Sequence, residues 1–103
     1  MLNDSLASLP VVPQDVEKFA ADKGANAYLH PVIDLAQRAF PSSVLRVSLG
    51  QDAEDQTHQY IALDVEVGDK AAEELLAGQR IWSGEMTRIC PARHAVYFVL
   101  GWR

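Results

Sequence analysis

Tyr60-Ile61-Ala62-Leu63-Asp64-Val65-Glu66-Val67 is the stretch that decides the fold. Ile61, Leu63, Val65 and Val67 alternate with Tyr60, Ala62, Asp64 and Glu66. Successive side chains of a strand point to opposite faces, so this segment has one apolar and one mixed face. That is the pattern of an antiparallel sheet packed on one side and open on the other. Upstream, Val44 to Leu49 reads as a second strand, with Leu45, Val47 and Leu49 on one side and Val44, Arg46 and Ser48 on the other. The polar residues 50–59 between the two runs suit a hairpin loop.

Beyond the decisive strand, Gly68-Asp69 opens a helix, with Asp69 as the expected N-cap. At about 100° per residue its apolar face collects Ala72, Leu75, Leu76, Gln79, Ser83, Met86 and Cys90. Trp82 and Ile89 border that face, Ile81 lies opposite, and Pro91 ends the helix. Ala95 to Trp102 reads as the last strand, with Val96, Phe98, Leu100 and Trp102 opposite Ala95, Tyr97, Val99 and Gly101. On the N-terminal side, residues 13–40 read as one kinked helix or two short helices, interrupted at Gly24 and Pro31 and stopped by Pro41. Residues 1–12 read as a tail, whose Leu6, Leu9, Val11 and Val12 are able to dock on the core or on another subunit.

The expected fold is therefore a single α+β domain over residues 13–103, in the order α-β-β-α-β. Its three-stranded sheet carries the helices on one face. The preferred strand order puts the first strand in the middle with the last beside it; a sequential sheet is the alternative. The open face would carry Val44, Arg46, Tyr60, Ala62, Asp64, Glu66, Tyr97 and Val99, too apolar for a plain solvent surface.

Composition narrows the function. The chain has 103 residues, 49% of them apolar and 22% charged, which suits one globular domain. Nine Lys/Arg against fourteen Asp/Glu give −5, a poor balance for neutralising phosphates or anionic membranes. Eight acids fall between Asp52 and Glu74, whereas from Arg80 onward four arginines meet only Glu85. Cys90 is the only cysteine, so no internal disulfide or Cys-rich zinc site is possible. Asp4 without an early Lys or Arg is not a signal-peptide start, and no apolar run spans a bilayer. The expectation is a soluble cytoplasmic protein without a cofactor.

Several groups could carry chemistry. Asp64 and Glu66, two apart on a strand, share a face and match the paired acids that hold Mg²⁺ over phosphates. The Gly-Ser loop such enzymes place upstream is missing: Leu49-Gly50-Gln51-Asp52 stands there. Asp52, Glu54, Asp55 and His58 make an acidic loop without the EF-hand spacing. Cys90 and His94 could form a thiolate pair, but the helical face points Cys90 into the core. His30 has no partner in the sequence. Arg80, Arg88, Arg93 and His94, with Tyr97 and Trp102 for stacking, would be an RNA surface. The α-β-β start resembles that of the type II KH domain, but its Gly-x-x-Gly clamp is missing. No Walker loop, dinucleotide fingerprint or nucleophile elbow is present.

Glu54-Asp55, Tyr60-Ile61, Val65-Glu66-Val67, Ala72-Glu73-Glu74, Trp82, Pro91 and Phe98 resemble a group of small uncharacterised bacterial proteins over about half of the chain. The resemblance implies a shared α/β fold and a bacterial source. It implies no activity, and Glu66 is the polar position it singles out.

The sequence thus points to a small interaction domain that self-associates as a homodimer through its sheet face or edge, or that meets a more basic protein, as an antitoxin or immunity protein would. Tyr60, Asp64, Glu66, Tyr97 and Arg46 are the interface candidates: aromatics for buried area, charges for register. The alternatives are a metal-assisted phosphoryl-transfer or hydrolytic enzyme using Asp64 and Glu66, and an RNA-binding module.

Overall fold

A computed structural model describes residues 11–41, 43–55, 57–69 and 71–103. The expectations for Asp4, Leu6 and Leu9 fall outside these residues. The elements are α1 (Gln14–Asp22), α2 (Asn26–Ala39), β1 (Leu45–Gln51), β2 (Gln59–Val65), α3 (Ala72–Ile89), α4 (Ala92–Ala95) and β3 (Phe98–Trp102). The fold is α+β, with one three-stranded sheet.

The N-terminal helical region is two helices. Gly24 ends the first: at φ +71° it takes the left-handed conformation that side chains disfavour. The Gly24 amide donates to the Ala21 carbonyl (3.1 Å) and the Ala25 amide to the Ala20 carbonyl (2.7 Å), the paired closure of a Schellman turn. Pro31, in contrast, sits inside α2 without ending it. Leu29, Val32, Ile33, Leu35, Ala36 and Ala39 are buried along α2.

The strand order is β1-β2-β3, with β1 antiparallel and β3 parallel to β2. The preferred arrangement, with the first strand central, is thus corrected to the sequential one. The strand with the cleanest alternation takes the centre: Ile61, Leu63 and Val65 have no exposed surface. A central strand leaves no edge of its own to solvent, and burying each such side chain contributes about 1.5–3 kcal/mol. The parallel β2–β3 pair needs a crossover, and α3 supplies it.

Two expectations about α3 also change. Gly68, at φ +51°, turns the chain, and the helix starts at Ala72 with Ala71 rather than Asp69 as its N-cap. The buried face runs through Gly78, Trp82 and Met86, with Leu75 and Ile89 half-buried; Gln79 and Ser83 are exposed, and so is Leu76. The contact with α2 sets this phase. A Cβ on Gly78 would stand 2.6 Å from Phe40 Cδ1, so the absence of a side chain is what lets the helices meet.

The last strand is shorter than its alternation suggests. Pro91 accepts the amides of His94 and Ala95 (both 2.9 Å) and starts the turn of α4, which takes residues 92–95 out of the sheet. Val96 is then exposed rather than aligned with Phe98 in the core.

Candidate functional site

The side of the sheet away from the helices carries Arg46, Ser48 and Gly50 from β1, Tyr60, Ala62 and Asp64 from β2, and Glu66 just after it. Val99 and Gly101 from β3, followed by Arg103, complete it. The register sets these residues side by side: Arg46 opposite Asp64, Ser48 opposite Ala62, Gly50 opposite Tyr60, and Gly101 beside Asp64.

Two ion pairs cross this surface. Arg46 Nε donates to Glu66 Oε1 at 2.7 Å, and Arg103 Nε to Asp64 Oδ2 at 3.2 Å. Arg46 keeps 61% of its side-chain surface and Asp64 only 20%. Exposed pairs of this kind contribute about 0–1 kcal/mol each, so they orient the charges more than they stabilise the fold. Two glycines keep the surface low. A Cβ on Gly50 would stand 2.5 Å from Tyr60 Cζ, and one on Gly101 would stand 2.6 Å from Asp64 Oδ1. The Tyr60 ring and the Asp64 carboxylate therefore occupy the space above these glycines. The face is low, mixed in polarity and balanced in charge.

Four of the five interface candidates, Arg46, Tyr60, Asp64 and Glu66, come together here. Tyr97 does not. It precedes β3, and its ring meets Phe19 of α1 edge-on, with centroids 5.8 Å apart. Lys23 Nζ lies 6.0 Å from the Tyr97 centroid and 5.7 Å from that of Phe19. The turn at α4 is the reason: it shifts Tyr97 out of the alternation that would have put it on the open side. Arg103 is the residue that the sequence reading missed. Carrying the alternation from Val99 and Gly101 one step further would have found it.

As an ion site, the acid pair is already occupied by guanidinium groups. Glu66 borders a groove of about 450 Å³ with Ser43, Val67, Asp69 and Glu74, but Asp64 is not part of its lining. Among the described residues, no group of three or more His, Cys, Asp or Glu is arranged to hold a metal. The acids of the hairpin loop serve the backbone. Asp52 Oδ1 accepts the amides of Glu54 (2.8 Å) and Asp55 (3.3 Å); Asp55 Oδ1 accepts the amide and the hydroxyl of Thr57 (3.1 and 2.5 Å). These bonds hold both carboxyls below the usual carboxylate range.

Cys90 is 2% exposed. Burial pushes its thiol up, the reverse of what a thiolate nucleophile requires. The His94 ring stacks at 5.2 Å on Tyr28, and its Nε2 accepts from Arg93 Nε at 3.4 Å. His30 is exposed. Of the basic group, Arg80, Arg88 and Arg93 are exposed, and Arg88 pairs with Glu85 at 3.6 Å. The rings expected to stack on bases are engaged elsewhere: Tyr97 with Phe19, and Trp102 edge-on to Phe40 at 5.3 Å. Among the described residues, no helix is long and apolar enough to cross a membrane.

The chain matches no family model, no curated protein and no solved structure.

Proposed function

We propose that this protein is a small cytoplasmic interaction domain that self-associates as a homodimer through the uncovered part of its sheet. The carrying observation is the open side itself. It combines Tyr60, Ala62 and the 44%-exposed Val99 with two arginine–carboxylate pairs. A surface holding both signs of charge in equal number suits a second copy of itself. In a two-fold contact the same patch must satisfy its own image. Charges that are already oriented set the register of such a contact, and the apolar groups between them supply area.

Sedimentation equilibrium from micromolar to millimolar concentration tests this reading. A dimer that weakens when the sheet surface is altered supports it. A strict monomer at about 1 mM, corresponding to association weaker than about 4 kcal/mol, overturns it. Binding of Mg²⁺ or nucleotide that Glu66→Ala abolishes would favour the enzymatic alternative instead.

A further inference from the structure

Among the described residues, β1 is an edge strand that pairs only with β2, and its hydrogen-bond phase is fixed. The Glu66 amide donates to the Val44 carbonyl (3.0 Å), and the Asp52 amide to the His58 carbonyl (3.0 Å). In an antiparallel ladder, residues alternate between exchanging bonds with the partner strand and turning their groups away. Arg46, Ser48 and Gly50 therefore direct their backbone groups to β2. Leu45, Val47 and Leu49 direct theirs to the outside of the sheet.

This edge has few of the usual protections against strand addition. Leu45–Gln51 contains no proline and no lysine. Its one charge, Arg46, is held across the open face by Glu66. A groove of about 500 Å³ runs along it, lined in part by Val11, Pro13, Val44 and Val47. Val11 and Val44 are 83% and 58% exposed.

We infer that β1 pairs antiparallel with β1 of a second copy, about a two-fold axis at Val47, joining the two sheets into one of six strands. The inference rests on the homodimer reading and assigns its contact to the edge of the sheet in place of the open face. Chemical complementarity selects the register. With the axis at Val47, Leu45 faces Leu49 of the second copy, Val47 faces Val47, and Arg46 faces the neutral Ser48. Every outward backbone group of Leu45, Val47 and Leu49 then has a partner. Moving the axis to Arg46 sets two arginines directly opposite, which is unfavourable. Moving it to Ser48 sets the apolar Leu45 opposite the polar Gln51 and loses the Leu45–Leu49 pair. The open faces of the two copies become one continuous surface, with the Arg46–Glu66 pairs near the seam.

Ser48 is exposed, so its charge can be changed without disturbing the core, and circular dichroism confirms that each variant folds. Sedimentation equilibrium then compares wild type, Ser48→Glu and Ser48→Lys at low salt. The expected result is a dimer dissociation constant raised at least tenfold by Ser48→Lys, which meets Arg46 of the second copy twice. Ser48→Glu lowers it at least threefold. A wild-type dimer with any other pattern, both variants unchanged or both weakened included, overturns the β1 contact and leaves self-association standing. A wild-type monomer overturns both.

Discussion

Gly78 of α3 lies directly against the ring of Phe40 at the end of α2. A Cβ at position 78 would stand 2.6 Å from Phe40 Cδ1 and 2.7 Å from the Ala39 carbonyl oxygen. The backbone oxygen cannot swing aside as a side-chain tip can. Gly78→Ala should therefore destabilise the fold by about 1–3 kcal/mol, even though alanine is the better helix former. Gly50→Ala, which meets only the Tyr60 ring, should cost less. Gly101→Ala, which meets the movable Asp64 carboxylate, should cost least. Urea unfolding of the three variants checks the order, and a Gly101→Ala variant less stable than Gly78→Ala would contradict it.

The Arg46–Glu66 pair is short but open to water. A double-mutant cycle with Arg46→Ala and Glu66→Ala should give a coupling of about 0.2–1 kcal/mol, falling with added salt. A coupling well above that range, unaffected by salt, would mean that the pair is buried in an assembly under the conditions used.

Cys90 is shielded, and burial raises its pKa above the ordinary 9.0. An aromatic disulfide reagent at pH 8 should react with it only in denaturant. The linkage follows from the direction of the shift. Below the ordinary thiol value both states keep the proton, and the contribution is fully present. Above it the unfolded chain ionises first, so this contribution is lost as pH rises through the folded value. Cys90→Ala should remove that part of the alkaline slope.

The loop carboxyls move the other way. Asp52 and Asp55 are lowered from 3.8 by hydrogen bonds from the Glu54 and Asp55 amides and from Thr57, respectively. Their contribution is present above the ordinary carboxylate value and is lost as pH falls through the lowered one. The amide resonances of Glu54, Asp55 and Thr57 should shift at lower pH than amides beside an ordinary carboxylate. Asp52→Ala should abolish the shift at Glu54 and leave that at Thr57.

Much of the fold is legible from local pattern, and the misreadings have a common cause. The alternation at Ile61, Leu63 and Val65 identifies a strand and its buried side, because a period of two needs no knowledge of the neighbours. The α3 stripe is out of phase because Leu76 is as apolar as Leu75 and Met86, while Gly78, a contact residue, has no side chain to count. Tyr97 is misplaced because the Ala95–Trp102 alternation hides the helical turn that Pro91 begins. The same holds at the candidate surface. Arg46, Asp64 and Glu66 share a face by parity alone, but which carboxylate each arginine takes depends on strand order.

The sequence by itself determined the main helices and strands, the packed and open sides of β1 and β2, and the acidic character of residues 52–74. Each depends on interactions within a few residues. Only the tertiary structure decided that β2 is central, that α3 turns Gly78 toward the end of α2, and that Asp64 and Glu66 are bound by Arg103 and Arg46. It also decided that, among the described residues, β1 lies at an edge of the sheet. These are choices among partners distant in the chain. Hydrophobic periodicity says which side of an element is buried, not against what; close packing and hydrogen-bond pairing then select the partner.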